Sequence, residues 1–329
     1  MRAPSFWQNP PDAPGWQAHL LAPLSALYSA ATARRIRQNP DVTPSCPVIC
    51  IGNINAGGTG KTPTVIALIE RLRPLNVHVV SRGHGGNETG PTRVNERRHK
   101  AADVGDEPLL IAAFAPTWIA RSRAEGVSAA QQDGADIILL DDGFQNPSVA
   151  KSLSIVVVDA ALGFGNGRVL PAGPLRETVE QGLKRADLLL SNGTARAQAH
   201  FIKTWGEQVS VLHMTAHLKT LETGINWKGQ RVMAFAGIGY PEKFFATLRG
   251  LGAELLRAEA LTDHQPLTEP LMKRLEIEAR ALSAQLVTTE KDSVRLPPSF
   301  RQRVLTLPVR LEFDDDTQLN DALNHLPRR

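Results

Sequence analysis

The sequence predicts an α/β protein: a mainly parallel sheet flanked by helices, followed by a smaller C-terminal α/β lobe. Three observations predict it. Short apolar runs at 48–51, 77–80, 136–140, 154–158 and 187–190 alternate with stretches of helical character at 62–72, 106–114 and 123–132. A glycine loop joins the first run to the first helical stretch, and a pair of acids directly follows the third run.

Composition supports a folded chain with a proper core. Of 329 residues, 42% are hydrophobic. The balance of 37 Lys and Arg against 33 Asp and Glu leaves a formal charge of +4, too little for a general nucleic-acid coat, so no nucleic-acid partner is expected. Cys46 and Cys50 make neither a zinc framework nor a disulfide scaffold, which suits a reducing compartment. No apolar run is long enough to span a bilayer. Arg2 is followed by Pro4, Trp7, Pro10, Pro11 and Pro14 rather than by the apolar stretch of a signal peptide.

Residues 16–37 carry Trp16, Leu20, Leu21, Leu24, Leu27 and Tyr28 at three- and four-residue steps, closed by Arg34, Arg35 and Arg37. The spacing predicts an amphipathic helix, with Pro23 marking a kink or a late start. Such a face suits either the protein's own core or an anionic lipid surface.

Residues 52–64 read GNINAGGTGKTPT. Strand, glycine loop, Gly-Lys-Thr and helix form the arrangement that cradles phosphates with backbone N–H groups, as in P-loop NTPase-like proteins. Asn55, Ala56, Gly57, Gly58, Thr59, Gly60, Lys61 and Thr62 are the candidate nucleotide contacts. Lys61 is suited to the β- and γ-phosphates and Thr62 to Mg²⁺. Asn55 stands where the usual loop has its first glycine. Asp141 and Asp142, at the end of the third apolar run, are the candidate metal-binding acids.

Other segments have the composition of site loops: 81–86 (SRGHGG), 105–108 (GDEP), 163–176 (GFGNGRVLPAGPLR), 262–266 (TDHQP) and 288–292 (TTEKD). Arg82, Glu107, Arg123, Gln145 and Arg176 are candidate substrate or phosphate contacts. A second alternating block has strands at 231–236, 285–288 and 303–307 and helices at 242–251 and 269–282. The chain turns polar near 218–228. The expected division is therefore an N-terminal helix at 1–40, a phosphate-loop domain at 41–218 and a smaller domain at 219–329.

Taken together and in order, GNINAGGTGKTP, Ser81-Arg82-Gly83, GDEP, LLDDGFQ, LPAGPLRE, the segment at 235–239, Asp263-His264 and TTEKD resemble the tetraacyldisaccharide 4'-kinase family. That resemblance implies transfer of the ATP γ-phosphoryl group, with Mg²⁺, to the 4'-hydroxyl of tetraacyldisaccharide 1-phosphate, giving lipid IVA. It implies Asp106 and His264 as a catalytic pair, with Lys61 and Thr62 on phosphate and metal, Asp141 and Asp142 aiding the metal, and Arg176 in the site. It also implies a peripheral enzyme on the cytoplasmic face of the inner membrane, held through the N-terminal helix, for which a monomer suffices. Two positions depart from the family's usual pattern: His84 replaces a common Tyr, and Asn146 replaces a common His.

Overall fold

The computed structural model describes residues 3–326. The first sheet contains β1 (Val48–Gly52), β2 (Val77–Ser81), β3 (Thr92–Arg93), β4 (Thr117–Ile119), β5 (Ile137–Asp141), β6 (Leu153–Asp159), β7 (Leu188–Asn192) and β8 (Leu212–Thr220). The second contains β9 (Arg231–Ala236), β10 (Glu254–Ala260), β11 (Gln285–Thr289) and β12 (Val304–Leu307). β13 (Val309–Phe313) then returns to the first sheet, whose order is β13-β8-β7-β6-β1-β5-β2-β4-β3. β8 to β4 run parallel, and β13 and β3 close the two edges antiparallel. The second sheet, β10-β9-β11-β12, is parallel throughout.

Every residue of β1, β2, β5, β6 and β7 is buried, which explains why these strands read as unbroken apolar runs. Alternate side chains of β1 serve opposite faces: Val48 and Cys50 join one core, Ile49 and Ile51 the other. Helices Lys61–Arg71, Asp106–Ile111 and Thr317–Asn324 cover the second face, while Arg123–Gln132, Val179–Leu183 and Ala195–Trp205 cover the first. From β1 the chain crosses to β2 on one side, and from β5 it crosses back over β1 to β6 on the other. The crevice at the carboxyl end of β1 therefore lies at a topological switch point, where parallel sheets take their ligands.

The chain does not divide in the way the sequence suggests. β13 pairs with β8, from Val309↔Thr220 to Phe313↔Ala216, and Leu319 of the last helix joins the first sheet's core. The expected 219–329 unit thus loses its final segment to the large sheet. Pro308 separates β12 from β13 in one apolar stretch, and without an amide hydrogen it ends the ladder there.

The N-terminal helix, Trp16–Ile36, runs unbroken through Pro23. It docks through its small residues: Ala18, Ser25 and Thr32, seven apart, are the buried ones. Ser25 Oγ donates to the Val169 carbonyl (2.8 Å) and accepts from the Ala172 amide (3.1 Å). The apolar stripe faces outward, with Trp16 71%, Leu20 70% and Leu27 69% exposed. Among the described residues, no helix is long and apolar enough to cross a membrane.

Candidate active site

The glycine loop is held by its own residues and by a neighbouring loop. Asn53 Nδ2 donates to the Gly57 carbonyl (3.1 Å) and to Thr59 Oγ1 (3.2 Å). The Ala56 amide donates to the Pro174 carbonyl (2.6 Å), and Asn55 Nδ2 to the Gly163 carbonyl (3.0 Å). Asn55 thus turns its side-chain amide to the 163–176 loop and anchors the cradle there. Gly60 has φ +101°, a backbone conformation that favours glycine, and a side chain there would start 2.8 Å from Asn192 Nδ2, which would have to shift. At Gly57 and Gly58 a side chain would meet nothing within 4 Å, so this stretch of backbone borders open space. Lys61 and the buried Thr62 begin the following helix.

The two acids at the end of β5 have different environments. Asp141 is 1% exposed; its Oδ2 accepts from Ser81 Oγ (3.1 Å), while its Oδ1 is buried without a hydrogen-bond partner. Burial, reinforced by the charge of Glu107, pushes its pKa up to about 7. Asp142 adopts φ +55°, with its Oδ1 3.1 Å from Arg176 and 3.6 Å from Lys61 Nζ. Burial raises its pKa, but Lys61 and Arg176 outweigh it and hold the carboxyl below the usual range. Among the described residues, no three His, Cys, Asp or Glu side chains converge as a metal cage. Two carboxylates beside a threonine instead match Mg²⁺, which takes few protein ligands and leaves room for phosphates and water.

Two predicted contacts serve as braces. Arg123 is 4% exposed, and its guanidinium donates to the carbonyls of Ala120 (3.4 Å), Asp141 (3.2 Å) and Asp142 (3.2 Å). It supports the acid pair through the backbone of both residues; the sequence shows its charge but not its burial. Gln145 Nε2 donates to the Asn53 carbonyl (2.8 Å) and to Glu177 Oε1 (2.9 Å), and its Oε1 accepts from Arg176 (3.2 Å). Gln145 therefore ties the root of the glycine loop to the segment after β5. Glu177, which sequence reasoning missed, is 2% exposed and also accepts from Arg185 through both carboxylate oxygens, at 2.7 and 2.6 Å. Arg82 follows β2 and is exposed.

The second sheet's lobe supplies the other half of the site. His264 Nδ1 lies 2.9 Å from Asp106 Oδ2. Asp106 is 3% exposed in the first turn of helix Asp106–Ile111, and its Oδ1 accepts from the Glu107 amide (2.9 Å). His264 has φ +58°, and its amide donates to the Gly237 carbonyl (3.3 Å). The hydrogen bond to Asp106 raises the His264 pKa against the opposing effect of burial. Burial works to raise the Asp106 pKa, but His264, Lys291 and Arg295 together bring it below the ordinary value.

Lys291 and Arg295 complete this cluster. Lys291 Nζ is 2.9 Å from Glu107 Oε1 and 3.8 Å from Asp263 Oδ1, and Arg295 Nε is 3.6 Å from Asp106 Oδ2. Buried Asp292 accepts from the Gly237 amide, Thr289 Oγ1 and Arg295, fixing the short helix Glu290–Ser293 that carries Lys291 and the turn after it that carries Arg295. TTEKD was the available signal for Lys291; nothing local marked Arg295. His84 sets its ring edge-on to His264 at 5.9 Å, so an aromatic ring is kept at that departing position. Asn146 Oδ1 accepts from the Ser148 amide (2.9 Å) and Oγ (2.6 Å), capping a turn.

The two halves face one another. A side chain at Gly239 would start 3.8 Å from Asp263 Oδ2 and 3.9 Å from the Gly58 amide nitrogen, so the lobe approaches the glycine loop itself. Lys243, on helix Pro241–Gly250, pairs with Asp159 at the end of β6. Glu107, next to Asp106, is felt by Asp141.

The model of the family described as tetraacyldisaccharide-1-P 4'-kinase matches residues 17–328. A tetraacyldisaccharide 4'-kinase of Dinoroseobacter shibae is 60% identical, covering 99% of this chain and 98% of the relative. One from Jannaschia sp. is 59% identical over 98% of each chain. The crystal structure of LpxK from Aquifex aeolicus in complex with ATP shares the fold at a TM-score of 0.74, with 23% identity, covering 93% of this chain and 98% of that one. A family model spanning nearly the whole chain, with relatives this similar end to end, shows that the chain belongs to the tetraacyldisaccharide-1-P 4'-kinase family.

Proposed function

We propose that this protein transfers the γ-phosphoryl group of ATP to the 4'-hydroxyl of tetraacyldisaccharide 1-phosphate, giving lipid IVA. The observation that carries the reading is the Asp106–His264 bond, made between the two lobes beside an open glycine loop.

The glycine loop and Lys61 bind the triphosphate, and Lys61 neutralises charge that grows on it during transfer. Thr62, Asp141 and Asp142 would hold Mg²⁺; the unpartnered, buried Oδ1 of Asp141 is the oxygen left free for it. When bound, the ion would supply further charge neutralisation for the triphosphate. Arg176 holds Asp142, and Arg123 holds the backbone of both acids.

An alcohol is a poor nucleophile at neutral pH, so its proton needs a receiver. The Asp106–His264 couple serves as that receiver. Asp106 is buried with one oxygen on the Glu107 amide and the other on His264, so the accessible end of the couple is the imidazole. Asp106 holds the ring and stabilises its charged form. Lobe closure over the loop excludes water. The outward apolar stripe of helix Trp16–Ile36, followed by Arg34 and Arg35, suits a lipid surface, so the enzyme works as a peripheral protein on the cytoplasmic face while the acyl chains stay in the bilayer.

The test is incubation with γ-labelled ATP and either tetraacyldisaccharide 1-phosphate or soluble sugars. Label in the lipid alone, lost in Lys61→Ala, is the expected result; label in the soluble sugars alone overturns the reading.

A further inference from the structure

Three consecutive residues of the short helix Glu290–Ser293 reach three different parts of the molecule. Successive side chains leave a helix about 100° apart, so a single turn suffices for this. Asp292 accepts from the Gly237 amide within the smaller lobe, and the Gly237 carbonyl in turn accepts from the His264 amide (3.3 Å). Lys291 Nζ lies 2.9 Å from Oε1 of Glu107, the neighbour of Asp106. Glu290 turns to the large sheet. Its Oε2 accepts from the Val309 amide (3.1 Å), and both its oxygens accept from Arg310 Nη1 (3.1 and 2.9 Å). This contact sits where the chain crosses back: Thr289 pairs with Leu307, and Val309 opens β13.

Arg310 extends the contact to two helices of the larger body. Its guanidinium lies over the Phe114 ring (4.8 Å to the centroid), just beyond the end of helix Asp106–Ile111. Its Nε stands 3.5 Å from Glu70, near the end of helix Lys61–Arg71. The side chains of Glu290 and Arg310 are 19% and 18% exposed, so solvent and salt screen the pair only weakly. A planar guanidinium with a ring on its face and carboxylates at its edge is fixed in orientation as well as in place. Both residues stand past the end of the Asp106 helix that is remote from the couple, so their effect on transfer is made through other residues.

We infer that Glu290 and Arg310 are positioning residues for the transfer. The inference rests on the reaction proposed above. Together they pin helix Glu290–Ser293 to the large sheet. The pin sets Lys291 against Glu107 and, through Asp292 and Gly237, the loop that brings His264 to Asp106. Without it the helix keeps its hold on the smaller lobe but loses its register against the larger body, and Lys291 and His264 are misplaced together. A shift of about 1 Å caused by a change far from the chemistry is enough to cost on the order of 100-fold in rate.

The experiment uses the full chain and measures two quantities: single-turnover transfer from γ-labelled ATP to tetraacyldisaccharide 1-phosphate, and calorimetric ATP binding without acceptor. Glu290→Ala and Arg310→Ala should each slow transfer by on the order of tenfold or more, while ATP affinity stays at the wild-type value because the glycine loop keeps its own anchors. The double variant should be no slower than the slower single one, since the two residues make one contact. Arg310→Lys should recover part of the rate, keeping the charge without the planar fork. Glu290→Gln keeps the packed volume, so it reads the charge pairing even where truncation to Ala unfolds the lobe; it too should be slow with ATP affinity intact. Wild-type rates in Glu290→Gln and Arg310→Ala overturn the inference and leave the reaction in place. So does a loss of rate matched by an equal loss of ATP affinity, the sign of a body that no longer folds. A wild type that transfers nothing to the lipid overturns the reaction, and the inference with it.

Discussion

Nδ1 of His264 lies 2.9 Å from Oδ2 of Asp106, although 158 positions separate the two residues in the chain. One arrives on the loop after β10, the other on the first turn of a helix packed against the first sheet. Their bond exists only when both sheets are in place. Asp106→Ala and His264→Ala should each lower kcat by about 10²–10⁴-fold, the usual contribution of a positioned proton acceptor. The double variant should be little worse than either single one, because the two act as a unit. Single-turnover transfer from labelled ATP measures this; near wild-type rates in either single variant would remove the couple from the mechanism.

The couple also fixes a pH signature. His264 must be neutral to accept a proton, and its pKa is raised. The acid limb of kcat/KM should therefore lie above the ordinary histidine value of about 6.5, and Asp106→Asn should move it down. For stability the signs differ between partners. The His264 contribution is complete below about pH 6.5 and is lost as pH rises through its folded-state value; that of Asp106 is complete above about pH 3.9 and is lost as pH falls through its depressed value. The gap in urea midpoint between wild type and Asp106→Asn/His264→Asn should be widest near pH 5, inside that window.

Arg123 braces three carbonyls from a buried position. Arg123→Ala should cost roughly 2–4 kcal/mol in urea unfolding, through lost charge-assisted hydrogen bonds and the space left behind. Arg123→Lys should recover little, since an ammonium lacks the planar fork. Full stability in both variants would show that the acid pair needs no such support.

At Gly52, the last residue of β1, an added Cβ would fall 2.4 Å from Phe144 Cβ. Gly52→Ala should destabilise by about 1–3 kcal/mol and weaken nucleotide binding, because the root of the glycine loop and the segment after β5 would be pushed apart. Calorimetric ATP titration and thermal unfolding would show both effects; an unchanged protein would mean that the two segments yield freely.

The helix stripe separates anchoring from folding. Trp16, Leu20, Leu24 and Leu27 are exposed, so changing all four to Ser should leave the core intact and thermal unfolding within a few degrees of wild type. Sedimentation with anionic vesicles should fall sharply. Unchanged sedimentation would refute the anchoring role, while a large loss of stability would show that the stripe packs on the protein.

Local signals in the chain were legible where one segment carries the whole pattern. β1, the glycine loop and the acids after β5 follow one another by short-range rules, and the structure keeps them there. The pairing of Asp106 with His264 came from family resemblance, since neither residue marks the other by spacing. Arg295 was invisible because its role is set by an acid 189 positions away, as 295 − 106 gives. The brace made by Arg123 was not legible because sequence shows charge and hides depth. β13 was missed for another reason: Pro308 changes the sheet to which the chain belongs, and hydropathy does not record which sheet a strand joins.

The return of β13 gives the smaller lobe its entrance and its exit side by side, as two hydrogen-bonded ribbons on one rim of the large sheet. The lobe's two covalent links thus form a two-ply strap, with Thr220 opposite Val309 where the chain leaves and rejoins the large sheet. Cutting the chain after Leu307 would fray that strap and unzip the rim of the larger body, rather than trim a dispensable tail.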